Sequence, residues 1–199
     1  MATRADFFGS RRPDSRGGCH TDAVTSEPIE PDTKDWTWVL ARPCPECGFD
    51  STLVQHTDVA EQIRTDSAGW VHRLGEPGVR TRPQPKVWST LEYGCHIRDV
   101  HRIFNHRVRL MLDEDEPRFP NWDQDETALA DDYASQDPVT VAAELYDAAN
   151  VVADTYADVP AHAWSWRGLR SNGSEFTIAT IAVYHLHDIV HHAHDVNHG

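Results

Sequence analysis

The chain has 199 residues, of which 39% are hydrophobic and 25% charged, enough for one packed domain preceded by a tail. Its 32 acidic side chains outnumber 18 basic ones, for a net charge of −14. That balance excludes nucleic acid and anionic membrane surfaces as partners, since both require a basic face, and no apolar run nears the roughly 18 residues of a membrane span. The opening stretch carries arginines but no apolar core of about 7 to 15 residues, so it does not read as a secretory signal. A cytoplasmic location with reduced thiols is the expectation.

Residues 1–34 are rich in Pro, Gly, Ser, Asp and Arg and show no apolar period, which predicts a disordered N-terminal tail. The domain is expected over 35–199, with 35–50 as a Trp- and Cys-rich lead-in. A first helix begins near Asp58, carries Val59, Ile63, Trp70 and Leu74 inward, and ends at Gly75, Pro77 and Gly78. Pro83 and Pro85 keep 79–88 out of a helix. The second long helix has the clearest start, because Ser89-Thr90-Leu91-Glu92 is a capping box. Its apolar positions run from Leu91 to Met111, and the acidic run before Pro117 closes it. Residues 126–134 predict a short helix, and Asp137-Pro138 then opens a third long one whose inward face is Val141, Leu145, Ala148, Val152 and Tyr156. Residues 161–175 read as a crossover loop with a short extended piece. A last helix from about Glu175 to Val196 is apolar over more than one face, as a helix central to a bundle must be. The fold class is thus all-α, a four-helix bundle, in which metal sites form from facing side chains.

Of 13 histidines, His185, His187, His191, His192, His194 and His198 crowd the final helix. His187 and His191, four apart, stack on one helix face about 40° from each other, a spacing that lets two imidazoles share one metal ion. A third ligand must come from another helix. His96 is the best candidate, because Val100, Ile103 and Leu110 follow it on the same predicted buried face. His101 and His106 lie elsewhere on that helix and are expected at the surface. Two further pairs keep the register open: Asp188 with His192, and His191 with His194.

The segments WSTLEYGCHIRDVHRIF, FPNWDQD and YHLHDIVHHAHDV together resemble the DinB-like superfamily, whose relatives include mycothiol-dependent maleylpyruvate isomerases and bacillithiol or mycothiol S-transferases. The resemblance spans roughly 50–197 and is closest to an actinobacterial branch that also carries a segment like Trp36 to Asp50. It implies an up-down-down-up bundle and a divalent metal held by one His early in helix two and an H-x-x-x-H pair in helix four. Those ligands map to His96, His187 and His191. Zinc is the expected ion, with nickel, manganese or iron as alternatives, and mycothiol is a candidate co-substrate. Many relatives continue past the last ligand with an Arg-Gly-Gln-type sequence. This chain continues His192-Ala193-His194-Asp195, which leaves His191 and His192 both open as the final ligand.

Cys44-Pro45-Glu46-Cys47-Gly48 has the form of a zinc knuckle. A zinc ribbon needs two knuckles and only one is present; Cys19 and His20 are the remaining donors nearby. The alternatives are a redox pair or a turn that packs Trp36, Trp38 and Phe49 on the bundle with free thiols. Cys95 reads as a small core residue. Trp88, Trp122, Trp164 and Trp166 either line a pocket or pack the bundle ends. The resemblance implies a low-molecular-weight-thiol S-transferase acting on an electrophilic small molecule. A hydrolase on the same site, a non-catalytic metal-binding or stress-response module that dimerises through helix faces, and a metal-buffering tract are the other readings. An open fourth coordination position would mark an enzyme, and a position closed by protein a structural site.

Overall fold

The computed structural model describes residues 34–198 together with Ile29 and Pro31. The rest of the expected tail, with Cys19 and His20, lies outside the described residues. A short 3₁₀ turn over Trp36–Leu40, capped by the Asp35 carboxylate, opens the lead-in. The helices are α1 (Val59–Leu74), α2 (Thr90–Asp113), α3 (Gln124–Ala130), α4 (Pro138–Ala157) and α5 (Ile178–His198). The capping box is formed: the Glu92 amide donates to Ser89 Oγ, and the Ser89 amide donates to the Glu92 carboxylate at 2.8 Å. The Asp137 carboxylate likewise accepts from the Thr140 amide at the start of α4.

Side-chain pairs fix the directions of the four long helices. Arg98 reaches Glu144 and Asn105 reaches Thr155, so α2 and α4 run parallel. Trp70 reaches the Ile189 carbonyl and Arg73 reaches Asn197, so α1 and α5 run parallel as well. His96 meets Asp188 while His101 meets His185, so α2 and α5 are antiparallel. The result is an up-down-down-up bundle. Both α4 and α5 pack against α1 and α2, which makes α1 and α2 diagonal partners. At their closest approach a side chain on Gly94 would collide with Leu74, its Cβ standing 2.8 Å from Leu74 Cδ2.

Two expectations are revised. Residues Glu175–Thr177 form a strand rather than the first turn of the last helix. Arg118–Phe119 (β1), Arg167–Arg170 (β2) and Glu175–Thr177 (β3) make a small sheet, with β1 parallel to β2 and β2 antiparallel to β3. The reason is visible in the alternation: Phe176 turns into the core between the exposed Glu175 and the half-buried Thr177, whose hydroxyl then accepts from the Thr180 amide and starts α5. His101 is the second revision. It is fully buried rather than exposed, because α1, α4 and α5 all pack on α2 and leave it little free surface. His106 is exposed, as expected.

The core runs the length of the bundle from Ile63, Trp70, Leu91, Val108 and Met111 to Leu145, Val152, Ile181 and Ile189. Inside it lies a chain of polar side chains: Ser67 Oγ to His101 Nε2 at 3.1 Å, His101 Nδ1 to His185 Nε2 at 3.0 Å, and His185 Nδ1 to Tyr156 Oη at 3.2 Å. A neutral imidazole offers one donor and one acceptor, so with both rings neutral every ring nitrogen in this chain has a partner. Burial accordingly pushes His101 down to about 3 and His185 well below the ordinary imidazole range.

Candidate metal centres

Alpha-helical geometry places residues 187 and 191 on one stripe of α5 and residues 188 and 192 on the next, about 100° round the axis. The two stripes meet different neighbours. The structure therefore divides the expected triad. His187 and His191 join Cys44 and Cys47 from the lead-in, whereas His96 joins Asp188 and His192; within each group the donor atoms lie within 4.8 Å of one another. Among the described residues His96, His187 and His191 form no such group.

In the second group the Asp188 Oδ1 atom stands 3.3 Å from His96 Nε2 and 3.2 Å from His192 Nε2. Two bonds of about 2.1 Å meeting near a tetrahedral angle separate their donors by roughly 3.4 Å, so the spacing fits a shared ion. The donor set, two imidazoles and a carboxylate, is one that zinc and other divalent first-row metals accept. His192 Nδ1 is hydrogen-bonded to Asp195 Oδ2 at 2.9 Å, which turns Nε2 toward the group. Trp122 stacks flat on the His96 ring at 5.3 Å and Trp88 packs at 5.4 Å. His96 is wholly buried, with Nδ1 lacking a hydrogen-bond partner.

The charges match this arrangement. Burial is the largest influence on His192 and lowers its pKa, but hydrogen bonds to Asp188 and Asp195 outweigh it and hold the ring up at about 9. Burial raises Asp188, yet its two imidazole partners keep it well below the usual carboxylate range. A proton on His192 thus sits between two carboxylates, where a cation could take its place.

A cavity of about 520 Å³ opens over both groups. Trp36, Trp88, His187, Asp188, His191 and His192 are among the residues that line it. Of the four tryptophans singled out in the sequence, Trp88 lines this cavity and Trp122 backs His96. Trp164 instead packs on His56, and Trp166 is 40% exposed. At the end of α5 His198 Nδ1 bonds the His194 carbonyl, and at the end of α1 the exposed His72 faces Glu76.

The four-helix bundle thus brings His and Asp donors that could hold a metal ion to an open cavity. The chain belongs to the DinB superfamily, whose profile matches residues 60–196. No curated protein sequence matches the chain. Among solved structures it is similar to YfiT from Bacillus subtilis, described as a probable metal-dependent hydrolase with an unusual four-helix bundle topology. The two share 18% identity and a TM-score of 0.59 over 70% of this chain and 81% of the other, a likeness of fold. Among the described residues no helix is long and apolar enough to cross a membrane.

Asp195 was not singled out in the sequence, although Asp three residues after His192 on a helix is within reach of its ring. The pairing of Cys44 and Cys47 with His187 and His191 was also missed. The signal was the count: a knuckle supplies two ligands and an H-x-x-x-H pair supplies two more.

Proposed function

We propose that the chain is a metal-dependent enzyme whose ion is held by His96, Asp188 and His192 and which joins a low-molecular-weight thiol to an electrophilic small molecule. The observation that carries the first part is that three protein donors converge and that two of them, Asp188 and His192, line an open cavity, which suits a catalytic site. The thiol comes from the resemblance to the mycothiol- and bacillithiol-dependent relatives. A divalent ion there supplies a lowered pKa for a bound thiol or water.

The chain's own residues do the rest. Asp195 fixes the tautomer and aim of His192. Trp122 and Trp88 hold His96 from two sides and keep bulk water from it. Trp88 and Tyr93 give the cavity an apolar wall for a small organic substrate. In the transfer the thiol loses its proton to solvent, its sulfur bonds the electrophilic carbon, and the displaced group leaves with its electron pair. Hydrolysis of an ester or amide is a second reading, favoured by the description of the similar YfiT fold.

The test is a panel of electrophiles with mycothiol or bacillithiol, beside ester and amide substrates without thiol, on metal-loaded protein. Thiol-dependent conjugation lost in His192→Ala supports the transferase. Turnover without thiol supports the hydrolase. The same variants settle the ligand set: if His96, His187 and His191 shared the catalytic ion instead, activity would survive His192→Ala and fail in His191→Ala.

A further inference from the structure

We propose that Cys44, Cys47, His187 and His191 hold a structural zinc ion that fastens the lead-in segment to α5. The proposal uses none of the three residues assigned to the catalytic ion and stands without that assignment. Four donors, two thiols and two imidazoles, converge from segments more than 130 positions apart, all within 4.8 Å of one another. Cys44 Sγ lies 3.7 Å from His191 Nδ1. Bonds of about 2.3 Å to sulfur and about 2.05 Å to nitrogen at a tetrahedral angle put such a pair roughly 3.6 Å apart.

Three of the four donors are buried and Cys47 is half-buried, with the two imidazoles edging the cavity. Cys44, His187 and His191 are 1%, 3% and 6% exposed. His187 Nε2 is buried with no hydrogen-bond partner, a cost that an ion would remove. His191 Nε2 faces Glu46 Oε2 at 3.5 Å and Asp195 Oδ1 at 3.9 Å, so carboxylates orient the ring and leave Nδ1 for the cysteines. The knuckle is preformed: the Gly48 amide donates to the Cys44 carbonyl at 2.9 Å, the Cys44 amide donates to the Phe49 carbonyl at 2.8 Å, and Gly48 takes the left-handed φ of +76° that the turn demands. Trp36 and Phe49 cover the imidazoles, with ring centroids 4.7 Å from His191 and 5.4 Å from His187 respectively.

Four protein donors leave no position for substrate, so this centre is structural. What it holds in place is a wall of the cavity, since Trp36 and Glu46 of the lead-in both line it. An H-x-x-x-H pair that looks catalytic in the sequence thus serves the knuckle.

Cobalt(II) tests this on the intact chain, purified under reducing conditions, stripped and reloaded with the metal. The expected spectrum has a sulfur-to-cobalt charge-transfer band and the intense visible bands of a tetrahedral ion. Both are lost in the Cys44→Ser/Cys47→Ser variant and retained in His96→Ala. Zinc content measured by elemental analysis should fall by one equivalent per chain in the cysteine variant. The wild type gives an independent reading should that variant misfold: zinc-loaded protein should resist thiol titration at Cys44 and Cys47 until a chelator is added. A spectrum without thiolate bands, equal thiol reactivity with and without zinc, or a Cys44–Cys47 disulfide in the reduced preparation would each overturn the proposal.

Discussion

Lowering the pH from 7 to 5 should destabilise this protein through a pair of histidines outside both proposed ligand sets. His101 is fully buried, and burial holds its pKa at about 3 against 6.5 for a solvated imidazole. A folded-state pKa below the unfolded value means that the unfolded chain binds more protons under pH 6.5, so stability is present above that value and lost as pH falls toward 3. Between pH 7 and pH 5 the difference in proton uptake at this one ring integrates to about 2 kcal/mol. Burial explains why the folded protein refuses the proton: both rings are wholly enclosed, and the Ser67–His101–His185–Tyr156 chain already pairs every ring nitrogen while the imidazoles are neutral. His192 acts in the opposite sense, since its raised pKa contributes stability below pH 6.5 that is lost as pH rises through about 9. A comparison of wild type with His101→Asn cancels that contribution. Urea denaturation of both proteins at pH 7 and pH 5 should show the variant less stable at pH 7, from its broken chain, with the gap narrowing by about 2 kcal/mol at pH 5. A gap that stays constant across the two pH values would refute the buried neutral pair.

Other outcomes follow from single contacts. Asp195→Ala should weaken metal binding at the His96–Asp188–His192 centre by about 10- to 100-fold, read by competition with a chromophoric chelator, because His192 loses the acceptor that aims it. Arg82→Met should cost about 3 kcal/mol in denaturant melts, since Glu92, only 3% exposed, then keeps its charge with its guanidinium partner gone. Trp70→Ala removes a fully buried indole between α1 and α5 and should cost about 3–5 kcal/mol in the same assay. Gly94→Ala should cost about 1–3 kcal/mol, because the added methyl meets the buried Leu74 where α1 and α2 cross.

The helices were legible because their ends are chemically marked. Ser89 with Glu92, Asp137 with Pro138, and Gly75 each carry a local signal that tertiary packing does not override. The short strands were not, since Arg118–Phe119 has no period of its own and becomes a strand only by pairing with Leu169 and Arg170 from a distant loop. His101 was misplaced for a related reason: a single apolar stripe predicts one buried face, and α2 is covered on three sides. The donor residues of both centres could be named from the sequence, but their partition could not. Adjacent i, i+4 pairs on α5 differ only by a rotation about the helix axis, and what each pair faces depends on where the lead-in folds back.

That partition has an electrostatic logic. His191 and His192 are neighbours, with ring centroids 5.7 Å apart, so two dications bound on the two stripes would repel one another across a short path. Two thiolates cancel the charge of one zinc outright, leaving the knuckle centre neutral. Asp188 cancels half the charge of the other ion, leaving a net positive centre beside the cavity, where a bound thiol or water is to be deprotonated. Exchanging the ligand sets would give the opposite result, a neutral catalytic ion with a charged structural one behind it. The cysteines belong at the closed centre for that reason as well as for their softness, and Asp195, within 3.9 Å of His191 and 2.9 Å of His192, sits between the two sets and screens one from the other.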